Sequence, residues 1–315
     1  MKKTIILLLT LSFILPAFSQ SRWAVVTISA ACAQNGPEYT SPVETQMLMG
    51  SVVEVLETRG YWVRVRAEEP PYEAWVNELA LSRKDDGEIS EYMSADKYIF
   101  VKLSGDILTE PRQGAARICD FSLGGLVRVA KDSRGRVIKK GAYRGVILPS
   151  GKIGYVEGKS VEEFKKWGQR ISPTAGGVIA VAEKLIGTPY VWGGCASSGL
   201  DCSGLTRLAF YMNGILLPRN VSQQVKCGVE VPLNNLVPGD LLFFGTEATP
   251  EKPSRLNHVA IYIGDGRFIH SSQVVRISSI DPGLPDSYDR QPVCARHIIG
   301  AVGTEYSLSS YYFQE

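Results

Sequence analysis

The chain has 315 residues, of which 44% are hydrophobic and 21% charged, so it is long enough to bury more than one hydrophobic core. Its 34 basic and 32 acidic residues give a formal net charge of +2, which supplies no electrostatic reason to expect nucleic acid or an anionic membrane as partner. We therefore expect two or three domains and a function carried by local motifs.

The N-terminus has the pattern of a Sec-type signal peptide over residues 1–19. Lys2 and Lys3 precede the apolar run Ile5–Leu15, and the small-residue pattern Ala17–Ser19 follows it. The apolar run is too short to span a bilayer. We expect cleavage near Ser19 and an exported protein, periplasmic or secreted, that does not span the membrane.

Short β-strands and turns are predicted for residues 20–164. The predicted strands are separated by Gly, Pro and Asn turn signals: Val52–Leu56, Tyr61–Arg66, Trp75–Val76, Tyr98–Leu103, Leu126–Ala130, Val137–Ile138 and Val146–Leu148.

Two segments of this region recur further along the chain. Gly50–Val55 matches Gly124–Val129, and Ala74–Asn77 matches Gly154–Glu157. A repeat of this kind predicts two tandem copies of one small β-barrel. We place the first barrel at residues 20–90 and the second at 91–164.

Residues 165–315 have a different pattern, with helices first and strands after them. Ser172–Pro173 is a helix-start signal, and Gly187 follows the helix that it begins. A second helix is predicted from Cys202 to Met212. The predicted strands follow: Asp240–Phe244, His258–Ile263, Arg267–Ser271 and Ile298–Val302. This order indicates an α+β domain.

Two cysteines lie close together in the run GGCASSGLDCSGL, and only one has a setting that suits catalysis. Cys202 begins the second predicted helix, where the positive end of the helix dipole and unpaired N–H groups favour a thiolate and an oxyanion. Cys195 lies in a glycine-rich turn with no helix behind it. We interpret Cys195 as a small loop residue near the cleft and expect no Cys195–Cys202 disulfide.

Two of the three histidines, His258 and His270, lie on one predicted hairpin. A plain two-residue turn at Asp265–Gly266 would put their imidazoles on opposite faces of the sheet. One extra residue, in the turn or as a bulge, would put His270 opposite Ala260 and on the face of His258. If the rings cooperate, with His258 as base and His270 orienting it, the hairpin must hold that extra residue.

The remaining histidine and the other possible ligands give little sign of a metal site. His297 has no thiol or carboxylate pattern around it, so we expect a structural role. The spacings of Cys and His fit no compact zinc-ligand pair, so no metal and no cofactor are predicted.

A series of motifs in residues 175–303 resembles the NlpC/P60 family of cell-wall cysteine peptidases, which has a papain-like α+β fold. The motifs occur in family order: Gly187–Gly194, Asp201–Gly204, Leu217–Arg219 with Ser222 and Gln224, Pro238–Phe244, Asn257–Gly264 and Phe268–His270. The resemblance implies that Cys202 is the nucleophile, His258 the base and His270 the residue that orients the base. It also implies that Tyr190 is an active-site tyrosine and that Asp201 and Ser203 line the substrate cleft.

The two predicted barrels resemble bacterial SH3 (SH3b) domains, although Ala74 and Tyr155 depart from the usual Gly and Trp. Tandem SH3b domains in front of the peptidase are a recurring family arrangement. By this resemblance Glu44 and Tyr72 would read the free amine of an N-terminal L-alanine, for which a carboxylate and a hydroxyl are suitable partners.

The resemblance implies cleavage of the γ-D-glutamyl–diamino acid bond in peptidoglycan stem peptides, preferably short ones such as L-Ala-γ-D-Glu-diaminopimelate. We expect a monomer that needs no cofactor. Three alternatives stay open at this point: an N-acetylmuramoyl-L-alanine amidase, a non-catalytic wall-binding protein, and an acyl- or peptide-transferring enzyme.

Overall fold

The computed structural model describes residues 21–68, 71–247, 249, 252, 254–303 and 306–307. The predicted signal peptide, with its cleavage position, lies outside the described residues and stays a prediction. Across the described ranges no helix is both long and apolar enough to cross a membrane.

The first part of the chain forms a seven-stranded antiparallel sheet in the order β3-β2-β6-β5-β4-β1-β7. Alternating apolar residues such as Val53, Val63 and Val65 point inward and form its core. Helix α1, Asp86–Ser94, follows the sheet and begins with a capping box between Asp85 and Glu88. The strands contain those predicted for this region: β1 Trp23–Val26, β2 Ala30–Gln34, β3 Val43–Leu48, β4 Val52–Arg59, β5 Trp62–Glu68, β6 Pro71–Asn77 and β7 Leu81–Lys84.

The second part forms an eight-stranded antiparallel sheet in the order β10-β9-β14-β13-β11-β8-β15, with β12 paired to β13. Its core contains the stacked rings of Phe100 and Phe121, 4.1 Å apart. The predicted Val137–Ile138 strand is reduced to an isolated bridge between Lys131 and Val137. The strands are β8 Lys97–Phe100, β9 Ser104–Leu108, β10 Arg117–Ser122, β11 Leu126–Val129, β12 Lys139–Lys140, β13 Tyr143–Ile147, β14 Ile153–Glu157 and β15 Val161–Glu163.

The two sheets touch at the repeated glycine turns. Gly50 and Gly124 both have positive φ, +87° and +83°, and each precedes a strand. A Cβ on Gly50 would meet the carbonyl oxygen of Leu126 at 2.4 Å, and Leu126 donates its N–H to Met49. Glycine is required at position 50 because the two backbones pack so closely there.

The third part combines four helices with a six-stranded antiparallel sheet in the order β18-β23-β19-β20-β21-β22, which is the predicted α+β arrangement. The helices are α2 Phe164–Arg170, α3 Ala175–Lys184, α4 Cys202–Tyr211 and α5 Val221–Gln224. The strands are the small pair β16 Cys195–Ala196 and β17 Gly199–Leu200, then β18 Val229–Val231, β19 Leu241–Thr246, β20 Arg255–Gly264, β21 Arg267–Ser272, β22 Val274–Ser279 and β23 Pro292–His297.

Three predicted boundaries were wrong. Helix α3 begins after Thr174 rather than at Ser172–Pro173, because the Thr174 hydroxyl accepts the N–H of Gly177 and caps the helix. His258 lies within β20 and not at its start. The last strand precedes residues 298–302, where only turns are found; Ile298 is buried by packing and not by strand pairing.

Helix α4 is the element that brings the site together. Its apolar face, with Leu205 and Leu208 fully or nearly fully buried, packs on β20 and β21. Cys202 and Val259 belong to the same core as that face. The helix N-terminus therefore lies against the strand that carries His258.

Candidate active site

Cys202 is the first residue of α4 and is 7% exposed. The preceding residue, Asp201, is the N-cap, and one of its carboxylate oxygens accepts the N–H of Gly204 at 2.7 Å. Its other oxygen accepts the N–H of Gly193 at 3.0 Å. These two bonds fix the helix start against the glycine loop that precedes it.

The glycine loop approaches the helix so closely that position 204 has no room for a side chain. A Cβ on Gly204 would lie 1.9 Å from the carbonyl oxygen of Gly194. Glycine at this position allows the loop to cross directly over the first turn of α4.

The histidine hairpin has the extra residue that cooperation requires. Asp265 and Gly266 form the turn with positive φ values of 50° and 69°, and the register shifts between Tyr262 and Gly264. The skipped residue is a bulge, and Ile261 then faces Ile269. The hairpin therefore has the geometry that cooperation between the two rings requires.

The bulge brings the two imidazoles into contact. His258 Nε2 lies 2.8 Å from His270 Nδ1, and His270 Nε2 lies 3.1 Å from the hydroxyl of Ser278 on β22. His270 is fully buried. The chain of contacts occupies both nitrogens of His270 and only Nε2 of His258. Sequence analysis missed Ser278, which no motif singled out.

Burial opposes charge on both the thiol and the imidazoles. It raises the pKa of Cys202 to about 11, and the negative charge of Asp201 acts in the same direction. Hydrogen bonds from the N–H groups of Val259 and Ser203 partly counteract this rise. Contact with the Val259 backbone also places the thiol beside the residue that follows His258.

Desolvation lowers the pKa of His258 to about 3, and the pKa of His270 falls to about 3 for the same first cause. The positive charge of Arg290 adds to both shifts. At neutral pH the imidazoles are therefore uncharged, and His258 can accept a proton.

A buried ion pair lies behind the nucleophile. Arg219 and Asp201 are 3% and 7% exposed, and Nη2 of Arg219 lies 2.5 Å from one carboxylate oxygen of Asp201. Nη1 donates to the other oxygen at 3.1 Å and to the Ser203 hydroxyl at 2.8 Å. Arg219 ends the motif Leu217–Arg219, but the sequence predicted no role for it. The cleft-lining role of Asp201 and Ser203 stays a prediction.

Tyr190 is near the thiol. Burial raises its pKa to about 12, and the charges of Cys202 and Asp201 contribute to the rise. Its N–H donates to the carbonyl of Gln273, in the turn between β21 and β22. Tyr190 also forms an isolated parallel bridge with Leu200, two residues before Cys202, so the predicted tyrosine lies close to the start of α4.

Glu44 and Tyr72, although far apart in sequence, are in contact. The Tyr72 hydroxyl donates to a carboxylate oxygen of Glu44 at 3.3 Å. Burial raises the pKa of Tyr72, as does the charge of Glu44, whereas Arg219 and a hydrogen bond from Asn220 lower it. The pair therefore lies next to the segment between α4 and α5 that carries Arg219. It borders a cleft of about 460 Å³ lined by Asn35, Glu44, Arg64, Tyr72, Glu73, Ala74 and Trp75.

The other candidate ligands are apart from this site. His297 Nδ1 lies 2.6 Å from the buried carboxylate of Asp240, consistent with the predicted structural role. All six cysteines are free thiols, Cys195 and Cys202 included. Within the part of the chain that the structure describes, no group of three or more His, Cys, Asp or Glu residues could hold a metal ion.

Two family profiles match the chain. The NlpC/P60 family profile matches residues 187–291, and that of the bacterial dipeptidyl-peptidase SH3 domain matches residues 35–81. The second match covers the first barrel only. An SH3-like second barrel stays a prediction.

Curated relatives extend the similarity beyond these segments. A γ-D-glutamyl-L-lysine dipeptidyl-peptidase of Bacillus cereus is 27% identical over 266 residues, which is 82% of this chain and 75% of that protein. The Bacillus subtilis protein of the same name is 36% identical over 122 residues, 39% of this chain and 40% of that protein. The aligned part thus spans less than half the length of the second relative.

A solved structure has the same architecture. The crystal structure of an NlpC/P60 family protein from Bacillus cereus superposes with a TM-score of 0.73 at 23% identity, covering 88% of this chain and 99% of that one. The likeness shows that the chain has the NlpC/P60 α+β fold with a β-rich N-terminal part.

Proposed function

Because the chain combines an NlpC/P60 cysteine peptidase domain with a bacterial SH3 domain, we propose that it hydrolyses the γ-D-glutamyl–diamino acid bond of peptidoglycan stem peptides with a free N-terminal L-alanine. One observation carries this proposal. The Glu44–Tyr72 pair lies beside the same peptidase segment that supports the start of α4. The names of the Bacillus relatives agree with a γ-D-glutamyl bond as the target.

The first chemical step uses the two groups at the α4–β20 contact. The Cys202 sulfur attacks the side-chain carbonyl of D-glutamate, and His258 takes the thiol proton. The N–H groups at the start of α4 stabilise the oxyanion, with the hydroxyl of Tyr190 beside them. His258 then gives the proton to the amine of the leaving diamino acid, and water hydrolyses the thioester.

The hydrogen-bond chain behind His258 accommodates the tautomer that this step needs. For Nδ1 of His258 to accept the thiol proton, Nε2 must carry a hydrogen and donate it to Nδ1 of His270. His270 then carries its hydrogen on Nε2 and donates to Ser278. Each donor in this chain has an acceptor, so the arrangement holds His258 as a neutral base.

The selection of short peptides follows from charge. An N-terminal ammonium needs a carboxylate and a hydroxyl acceptor, and Glu44 and Tyr72 supply both at the edge of the site. A stem still joined to muramic acid has an amide in place of that ammonium, so it lacks the charge that Glu44 attracts. Export by the predicted signal peptide, in monomeric form, would bring the enzyme to wall fragments.

The proposal is tested by digestion followed by mass spectrometry. L-Ala-γ-D-Glu-diaminopimelate, L-Ala-γ-D-Glu-L-Lys, their N-acetylated forms and glycan-linked stems are incubated with the wild type, Cys202→Ala and Glu44→Gln. We expect release of the free diamino acid from unblocked peptides, none with Cys202→Ala, and weak turnover of acetylated peptides. Cleavage confined to glycan-linked stems would instead identify an amidase, and binding without turnover a wall-binding protein.

A further inference from the structure

Strand β3 of the first barrel contacts the peptidase domain on both sides of Glu44. The next residue, Thr45, accepts a hydrogen bond from Nε of Arg219 at 2.9 Å. Val43, the residue before Glu44, packs tightly on Gly193: a Cβ on Gly193 would lie 2.8 Å from Val43 Cγ1. Glu44 is thus held between two contacts with the loop and the ion pair that support α4.

Gln46 makes the most specific contact of this strand. Its side-chain oxygen accepts the backbone N–H of Cys195 at 2.9 Å and that of Ala196 at 3.2 Å. Both residues are buried, with exposures of 4% and 0%. One amide oxygen therefore joins the barrel to strand β16, which leads through β17 to Cys202.

We propose that Gln46 is a positioning residue that sets the distance between Glu44 and Cys202 and thereby the preference for peptides with a free amine. Glu44 lies two residues before Gln46 on β3, where the register with β2 shifts, and both residues are half-buried. Cys202 lies at the other end of the loop that Gln46 holds. The inference rests on the proposed reading of the amine by Glu44.

The two hydrogen bonds require an acceptor and not a particular charge. Gln46→Met keeps the approximate length and volume of the side chain but offers no oxygen to the two N–H groups. Gln46→Glu keeps an acceptor in the same place. A residue that acts through these bonds should be impaired by the first change and restored by the second.

The experiment compares kcat and KM for L-Ala-γ-D-Glu-L-Lys and its N-acetylated form in the full-length enzyme. We expect Gln46→Met to lower the ratio of kcat/KM for the free-amine peptide to kcat/KM for the acetylated peptide about tenfold, because two backbone N–H groups lose their acceptor, mainly through a higher KM for the free-amine peptide. Gln46→Glu should keep the wild-type ratio. Gln113→Met, an exposed change on the second barrel, serves as the control.

The outcomes separate the inference from the proposed function. If Glu44→Gln lowers the ratio and Gln46→Met does not, the positioning role is wrong and the reading of the amine stands. Equal loss on both peptides with Gln46→Met would show a general structural role and overturn the inference. A wild-type ratio in Glu44→Gln would overturn both. A lowered ratio in Gln46→Met with recovery in Gln46→Glu supports it.

Discussion

Replacing Arg219 with Met should destabilise the peptidase domain more than any single surface change. The guanidinium makes four hydrogen bonds, to both oxygens of Asp201, to Ser203 and to Thr45. The substitution leaves a carboxylate that is 7% exposed without its cation. Removing one partner of a buried ion pair costs about 3–5 kcal/mol.

The lower end of that range applies here. Asp201 keeps three partners after the substitution, the N–H groups of Gly193 and Gly204 and the hydroxyl of Ser203. We therefore expect a loss of about 3 kcal/mol in the free energy of unfolding, since the remaining hydrogen bonds to Asp201 compensate part of its unpaired buried charge. For a domain of this size that corresponds to a fall in Tm of about 6–12 °C.

Differential scanning calorimetry of the purified chain measures this loss, with the peptidase transition identified by loss of activity. The double variant Arg219→Met with Asp201→Asn removes the unpaired charge and keeps a capping oxygen, so it should be more stable than Arg219→Met alone. Thr45→Val, which removes one neutral partner of Arg219, is the matched control and should cost about 1 kcal/mol. A fall in Tm of less than 2 °C for Arg219→Met, or a double variant no more stable than Arg219→Met alone, would refute the reasoning.

Three further predictions concern the nucleophile and its surroundings. Because burial raises the pKa of Cys202 to about 11, its alkylation by uncharged iodoacetamide, followed by peptide mass spectrometry, should keep accelerating above pH 9; a plateau at neutral pH would contradict this. His270→Ala should lower kcat by about 10²-fold at nearly constant KM, and Ser278→Ala should lower kcat by less because it removes only the outer hydrogen bond. Steady-state kinetics on the free-amine peptide measures both values, and a larger loss for Ser278→Ala than for His270→Ala would contradict this. Gly204→Ala should lower Tm by about 6 °C or more because its Cβ would meet a carbonyl oxygen at 1.9 Å, and an unchanged melting curve would disprove this.

The parts of the site that lie within one local segment were predictable from sequence. Cys202 was placed at a helix start because turn residues precede an apolar helical pattern. The alternation of side chains along paired strands showed that cooperation between His258 and His270 requires one extra residue, and the structure has that residue as a bulge. In both cases the chemistry demands a geometry that only a few residues determine.

The parts that depend on distant contacts were not predictable. Arg219 reaches a partner 18 residues away and another 174 residues away, so no local pattern distinguishes it from a surface arginine. The last strand was placed at Ile298–Val302 because of its apolar residues. The actual strand, Pro292–His297, has a proline and charged residues and is stabilised by pairing with β19 and β18.

The first barrel packs through β3 against the loop that precedes Cys202. Strand β3 ends the order of its sheet, and an exposed edge strand tends to pair with other chains. Here the peptidase loop at Cys195–Ala196 lies along β3 and binds the Gln46 side chain. The contacts that cover this edge also hold Glu44 against the loop that leads to Cys202. Any change that frees the barrel should therefore have two effects at once: it exposes the edge strand and it separates the proposed amine site from Cys202.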